Sequence, residues 1–269
     1  MKTPGTHHRR NGLLVCVMVA MCCHTAYASL PAAPDPVPGG QASETRSITT
    51  PVERIVISGP VELSVRPSAK TELVVKGDPR LVPRVTTRTE GKTLLISTRG
   101  IFVSVNRHET ARIELLLPQL AELVSEASGD VTIRGFEQEK MEIRLAGSGQ
   151  ILADGNIQQL KAQLTGSGNL NLSIPSAKMV DLYHAGSGNA ILKGRTRQIQ
   201  VKLQGSGDVN AASLETRILT VDSSGSGNAH VCAAEEASVT ISGNGDVTVI
   251  GRPPKRHIER KAQGDLIWK

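Results

Sequence analysis

The sequence predicts an all-β protein, a right-handed parallel β-helix preceded by a β-rich N-terminal capping region. The first observation is the tripeptide Gly-Ser-Gly, which, with one Gly-Asn-Gly copy at residues 243–245, returns every 18 to 20 residues through the second half of the chain. The second is an alternation of apolar and polar residues on both sides of each tripeptide. A fixed period in this range indicates stacked supersecondary units. Period-two alternation indicates strands with one buried side, and parallel crossovers are almost always right-handed.

The tripeptides mark one corner of every predicted coil. We predict a purely structural role for their glycines, because tight turns favour positive φ angles that residues with a Cβ adopt at a cost. These glycines are Gly147, Gly149, Gly166, Gly168, Gly186, Gly188, Gly205, Gly207, Gly225, Gly227, Gly243 and Gly245. A polar residue, usually Asn or Asp, follows each corner. We interpret this polar column as structural hydrogen bonding and not as a calcium site, because only Asp246 and Asp265 are neighbouring acids.

The sequence divides into four segments. Residues 1–28 are predicted to be a signal peptide, because Lys2, Arg9 and Arg10 precede an apolar run and a small-x-small cleavage site that ends at Ala28. Residues 29–47 are rich in Pro, Ala and Gly and are predicted to be a linker. Residues 48–269 are predicted to form the β-helix domain, with N-terminal strands in 48–120 and repeat coils in 121–269. The N-terminal strands are predicted at 55–57, 61–66, 71–76, 82–89, 93–98, 101–105 and 112–117.

The signal peptide predicts an exported protein, periplasmic or extracellular, after cleavage near Ala28. Three of the four cysteines lie in the leader, so only Cys232 would remain and no internal disulfide is expected. No other apolar run is long enough to span a bilayer. The formal charge of +6 includes three basic residues of the leader, which leaves too small an excess to indicate nucleic-acid binding.

Two departures from the repeat are candidate sites. His184 and Ser223 occupy a slot otherwise filled by Leu and Ile, and we predict that they lie near a corner, where their polar atoms reach water or a backbone partner. A basic cluster interrupts the last coil together with Pro253 and Pro254. It is either a solvated loop or a patch that binds an anion or a partner. Its residues are Arg252, Lys255, Arg256, Arg260 and Lys261.

The repeats contain no recognisable catalytic constellation. No Ser has the Gly-x-Ser-x-Gly pattern of a nucleophile elbow, and the histidines lack metal-ligand spacing. We therefore predict a protein that is not an enzyme and needs no cofactor. The alternative is a polysaccharide lyase or hydrolase on the same scaffold, which would need clustered carboxylates or a basic catalytic residue in a groove.

Three sequence features together resemble one known family. They are the run Val61-Glu62-Leu63-Ser64-Val65, the phrase Leu73-Val74-Val75-Lys76-Gly77-Asp78 and the Gly-Ser-Gly-Asn series. In this order they resemble the putative auto-transporter adhesin, head GIN domain family of secreted bacterial proteins, from about residue 50 to the C-terminus. The resemblance implies β-rich N-terminal strands that lead into a parallel β-helix, and it implies no catalytic residues.

The predicted function is that of a non-enzymatic secreted or periplasmic scaffold, an adhesin-like interaction protein of the cell envelope. Its partner would be an envelope component, a polysaccharide or a protein. Self-association through the terminal rung is a further possibility, because Leu266, Ile267 and Trp268 would form a last strand with an unpaired edge.

Overall fold

The computed structural model describes residues 41–100 and 111–269. The protein is nearly all β, with a β-solenoid of about seven turns, as the repeat predicts. The strands are β1 (Ala42–Arg46), β2 (Arg54–Gly59), β3 (Val61–Pro67), β4 (Glu72–Gly77), β5 (Val85–Glu90), β6 (Thr93–Thr98), β7 (Ala111–Leu117), β8 (Glu122–Ala127), β9 (Val131–Leu145), β10 (Ile151–Leu164), β11 (Leu170–His184), β12 (Ala190–Leu203), β13 (Val209–Ser223), β14 (Ala229–Cys232), β15 (Glu236–Ile241), β16 (Val247–Ile250), β17 (Lys255–Arg260) and β18 (Leu266–Trp268). The predicted signal peptide and the strand predicted at 101–105 lie outside the described residues.

Each coil of the solenoid consists of two strand segments and two corners. Strands β9 to β13 pair in parallel with their neighbours, and the register shifts once within each of these four pairs, for example between Asp154 and Gly155. That shift marks the second corner of the coil, where Gly135, Gly194 and Gly251 adopt positive φ angles. The Gly-Ser-Gly corners lie between one strand and the next. Parallel stacking of this kind pairs the backbone of each coil with the coil on either side.

The core is built from the inward slots of the alternating pattern. The slots predicted on both sides of the glycine corners are buried, with Ala153 as a partly buried exception. Single coils cannot cover their own apolar side, so successive Val, Ile and Leu side chains form one continuous core along the axis. Phe136 is the largest fully buried side chain in the described chain.

The N-terminal strands do not stack in chain order. β2 pairs in parallel with both β6 and β8, and β3 pairs with both β7 and β9. The first pair of strands is therefore inserted between the β6–β7 rung and the repeats. Antiparallel strands cover the outer edge, with β5 on β6, β4 on β7 and β1 on β4. This pairing satisfies the outward N–H and C=O groups of β6, β7 and β4 and leaves β1 and β5 as the edge strands of this end.

Two predicted boundaries in this region are wrong. The linker predicted over residues 29–47 includes a strand, because residues 42–46 form β1. The Arg46 guanidinium anchors this strand by donating to the carbonyl oxygens of Val85 and Val82 at 2.7 and 3.2 Å. The strand predicted over 82–89 begins only at Val85. Residues Val82–Arg84 form a 3-10 turn, because Pro83 has no N–H to give to a strand ladder.

The reason predicted for the Gly-Ser-Gly glycines is also wrong, although their structural role is as expected. None of the twelve glycines of these tripeptides, at the first corner of each coil, has a positive φ. Each instead lies directly over the backbone of the preceding coil. A Cβ on Gly188 would overlap the carbonyl oxygen of Gly168 and lie 2.8 Å from that of Ser167. Glycine is required because two backbones approach too closely for a side chain.

Candidate functional site

The polar column beside the glycine corners is a hydrogen-bonded ladder. The side-chain Oδ1 of each Asn or Asp accepts from the backbone N–H of the next column member, one coil further on. The bonded pairs are Asp130–Gln150, Asn169–Asn189, Asn189–Asp208, Asp208–Asn228, Asn228–Asp246 and Asp246–Asp265, at 2.7 to 3.0 Å. The expected structural role is confirmed, with the next coil as partner. The bonds hold the corners of successive coils in register.

Gln150 is the member of this ladder whose side chain is too long to form the same hydrogen bond. No bond from the Asn169 N–H to the Gln150 side chain is present in the described part of the chain. The additional methylene of Gln places its amide beyond the position that the Asn and Asp oxygens occupy. The ladder is therefore interrupted once.

His184 is a fully buried histidine in a core column. It lies between Leu164 and Leu203 on the neighbouring coils, and its Nε2 donates to the carbonyl oxygen of Gly188 at 2.7 Å. Its Nδ1 has no partner within the described residues. Burial lowers the pKa of the imidazole, against the opposing effects of the Gly188 carbonyl and Asp208. The interior thus holds a neutral imidazole, which acts here as a space-filling core residue.

Ser223 and a residue that the sequence reasoning missed, Ser125, occupy the same column. Both are fully buried, and neither hydroxyl has a partner in the described chain. The expectation that these polar atoms reach water or a backbone partner is met by His184, through Gly188 O, and not by Ser223, which is fully buried without a described partner. His184 and Ser223 are not in adjacent coils, because Leu203 lies between them. They cannot act as a catalytic pair.

The residues of the basic cluster fall into two groups, which differ in the direction of their side chains. Three of its five residues, Lys255, Arg256 and Arg260, belong to β17, which continues the parallel stack on β15, while Arg252 precedes this strand and Lys261 follows it. In this register Arg256 and Arg260 follow the inward slots of Ala237 and Ile241. The guanidinium of Arg256 stacks 4.2 Å from the centre of the Trp268 ring, while Arg260 donates to Gly264 O at 3.0 Å and to Asp265 Oδ1 at 2.8 Å. These two arginines close the open end of the core.

The other basic residues of the cluster point to solvent. Lys261 forms an ion pair with Glu259 at 2.8 Å. Arg252 and Lys255 are exposed. The structure thus leaves two of the five predicted residues as exposed cations without an ion pair in the described chain, and a binding role for the whole cluster stays a prediction.

The long face of the solenoid has a groove of about 420 Å³ that the sequence reasoning did not select. It runs across β9, β10, β11 and β12 on the outward side of their first segments. Its outward side chains are Arg134, Leu152, Asp154, Asn171, Ser173, Ile191 and Lys193. We call it the long-face groove. Strand register places Asp154 beside Arg134 and Ser173, and Ser173 beside Lys193, in one column along the axis.

The long-face groove combines polar side chains with an apolar floor. Leu152 is 36% exposed and Ile191 is half-buried, with Asn171 between them. Neither Arg134 nor Lys193 has an ion-pair partner among the described residues. Successive coils repeat about every 4.8 Å, so the groove presents hydrogen-bonding groups at regular intervals along the axis. This arrangement can bind an extended polymer that is polar on its edges.

The sequence repeat contained a signal for this groove. Arg134, Asp154, Ser173 and Lys193 each come five residues after the last glycine of a corner. Outward residues at one repeat position form a column on the solenoid surface. The signal was missed because no motif joins residues 20 positions apart.

A second groove, of about 510 Å³, lies at the other corner of the coils. Its cations are largely neutralised, because Arg195 pairs with Glu215 at 2.8 Å and Arg217 with Glu235 at 2.7 Å. Cys232, a half-buried free thiol, is part of its lining. Across the described ranges, no three His, Cys, Asp or Glu side chains lie close enough together to hold a metal ion. No helix in the same residues is long and apolar enough to cross a bilayer.

Comparison with known proteins gives a family match and several structural relatives. A family model described as putative auto-transporter adhesin, head GIN domain, matches residues 52–253. No curated protein matches the sequence.

Three solved structures illustrate the likeness. One, described as a putative adhesin from Parabacteroides distasonis, has 20% identity and a TM-score of 0.75, and covers 86% of this chain and 98% of its own. Another, from the same organism and described as a putative lipid binding protein, has 24% identity and a TM-score of 0.76, over 86% and 98%. A putative adhesin from Bacteroides fragilis has 19% identity and a TM-score of 0.67, over 87% and 99%. At these identities the likeness shows the fold.

Proposed function

Because the chain belongs to the putative auto-transporter adhesin, head GIN domain family, we propose that it is an exported, non-enzymatic β-solenoid that binds a polysaccharide of the cell envelope. The observation that carries this proposal is the long-face groove. It spans four strands and offers polar side chains of both charges on successive coils, above an apolar floor. A rigid scaffold of this kind binds without paying for the ordering of its own backbone.

The groove favours an extended polar chain over a small compact ligand. It is open along the face, and its column of Arg134, Asp154, Ser173 and Lys193 follows the coil axis. Hydroxyl groups of a sugar chain can donate to Asp154 and accept from the two cations. Leu152 and Ile191 offer apolar surface for the faces of the sugar rings.

The alternative function, a polysaccharide lyase or hydrolase, has less support from the geometry. Glycosidases commonly need two carboxyl groups that flank the scissile bond. The lining of the long-face groove contains one carboxylate, Asp154. Release of reducing ends or of unsaturated products from envelope polysaccharides by the purified protein would reverse this ranking.

Binding to envelope fractions and glycan arrays tests the proposal. Wild-type protein should bind, and the double variant Arg134→Glu, Lys193→Glu should lose binding, since both cations of the groove become acids. The matched control is Lys202→Glu, an exposed lysine on the opposite face of β12. No binding by wild-type protein to any glycan, or equal loss in the control, would contradict the proposal.

Export is the second part of this proposal and is supported by the N-terminal sequence. Cell fractionation should place the protein outside the cytoplasm, and N-terminal sequencing should begin near Ser29. A cytoplasmic protein with an intact N-terminus would exclude an envelope partner.

A further inference from the structure

The two ends of the solenoid differ in the direction of their last strands. At the N-terminal end, antiparallel strands β5 and β4 lie on the outermost rung, and β1 pairs with β4. At the C-terminal end, β17 pairs with β15 and β18 pairs with β16, and no other described strand pairs with either of them. An open edge of this kind is a template for another strand.

The backbone groups at this open edge can be identified. The N–H of Lys255 donates to Glu235 O, and that of Lys261 donates to Ile241 O, so these residues face β15. Backbone groups alternate between the two sides of a strand. The N–H and C=O groups of Arg256, Ile258 and Arg260 therefore face away from the solenoid.

The side chains of β17 are self-complementary in one antiparallel register. On the outward side of β17 the order is Lys255, His257 and Glu259, and Lys261 follows, with its ion pair to Glu259. When two copies align about His257, Lys255 of each copy faces Glu259 of the other. The backbone hydrogen bonds can also form in this register. Arg256 then lies opposite Ile258 of the second copy, and the N–H and C=O groups of both residues face away from their own solenoids.

The adjacent registers are less favourable. Shifting the two copies by one hydrogen-bonding step places Lys255 opposite Lys261 and Arg256 opposite Arg260. Like charges directly opposite one another destabilise a strand pair. Pro253 and Pro254 lie just before β17 and have no N–H, so the pairing cannot extend beyond the N-terminal end of this strand.

Exposed apolar side chains are concentrated at the same end. Four large apolar residues of the described chain are exposed, and two of them, Ile258 (45%) and Ile267 (41%), belong to the last coil. Ile258 follows the inward slot of Val239. In the paired arrangement, Ile258 of one copy would pack on the aliphatic stem of Arg256 from the second copy. The guanidinium of that Arg256 covers Trp268 of its own chain.

We propose that two copies of this chain associate end to end, with β17 of each copy antiparallel about His257. The interface is isologous, because the same patch is used on both copies. It joins two solenoids into one longer scaffold with both N-terminal ends outward. The inference is independent of what the long-face groove binds.

Charge reversal at the paired positions tests the proposal by light scattering after gel filtration. Wild-type protein should have twice the mass of one chain. Lys255→Glu and Glu259→Lys should each be monomeric, with dissociation constants raised on the order of tenfold or more, because two ion pairs become two repulsive pairs. An equimolar mixture of the two variants should restore the dimer, and so should the double variant.

The matched controls carry the same charge changes elsewhere. Lys202→Glu and Glu137→Lys alter exposed residues away from the C-terminal end and should leave the dimer intact. A monomeric wild-type protein at high micromolar concentration overturns the proposal. Single variants that dimerise as wild type does, or a mixture of the two that stays monomeric, overturn it as well.

Discussion

Replacing Gly188 with alanine should destabilise the solenoid strongly although its φ lies outside the left-handed region. A Cβ at this position would lie 2.7 Å from the carbonyl carbon of Gly168 and 2.8 Å from the carbonyl oxygen of Ser167. Favourable contacts of carbon atoms begin near 3.5 Å. The obstructing atoms are backbone, so relief requires the two coils to separate.

Separation of the coils would weaken the hydrogen bonds on both sides of Gly188. The N–H of Ser187 donates to Gly166 O at 3.2 Å, and that of Asn189 donates to Asn169 Oδ1 at 3.0 Å. Overpacking costs about 1–3 kcal/mol, and each lost hydrogen bond costs about 1 kcal/mol. The expected loss in the free energy of unfolding is therefore about 3–5 kcal/mol, or on the order of 10 °C in Tm for a chain of this size.

Gly91→Ala is the control for this substitution. Gly91 has a φ of 58°, and a Cβ there would meet nothing within 4 Å. Its cost is the left-handed backbone alone, about 1–2 kcal/mol. Urea denaturation of both variants, followed by circular dichroism, makes the comparison. A Gly188→Ala protein no less stable than Gly91→Ala would refute the explanation by close approach of the coils.

Three further substitutions test the ladder, the buried histidine and the C-terminal closure. Gln150→Asn should complete the polar ladder by accepting from the Asn169 N–H, and should raise the free energy of unfolding by about 1 kcal/mol in urea titrations; an unchanged midpoint would contradict this. Because burial lowers the pKa of His184 in the folded protein, the unfolded chain binds the proton more tightly, so stability should fall as the pH drops below about 6.5. His184→Leu should be more stable than wild type and should lose that part of the pH dependence, whereas equal pH profiles between pH 5 and 8 would be inconsistent with it. Trp268→Ala removes the ring under Arg256 and should lower hydrogen-exchange protection in β17 and β18 by about 1–2 kcal/mol, with β10 and β11 unaffected; unaltered protection in the last coil would show that the pair does not close the core.

The repeat coils could be predicted from the sequence because every coil obeys the same local rule. Apolar side chains alternate on both sides of each corner, and the inward slots that this predicts are buried from Val131 to Val249, except for the partly buried Ala153. The N-terminal arrangement could not be predicted in this way. Insertion of β2 between β6 and β8 depends on contacts between segments that are far apart and share no period. The five residues of β1 pair with β4 through their backbone, which leaves no pattern in their side chains.

The candidate site was harder to predict than the fold. The basic cluster is conspicuous because its residues are adjacent in sequence, yet the strand sends Arg256 inward and Lys255 outward. The residues of the long-face groove are distant in the sequence and become neighbours only when the coils stack. The identity of the corner glycines could be read from the sequence, whereas the reason for them could not. A glycine pattern is the same whether it permits a positive φ or a close approach of two backbones.

Comparison of Leu152→Asp with Met179→Asp tests the proposed groove most directly. The two side chains are equally exposed, at 36% and 37%, but Leu152 lies on the floor of the long-face groove and Met179 on the opposite face. The measurement is the dissociation constant of each variant for the envelope glycan that wild-type protein binds most tightly. Leu152→Asp should weaken binding at least tenfold and Met179→Asp should leave it unchanged. Equal affinities of the two variants would show that the ligand does not bind in the long-face groove.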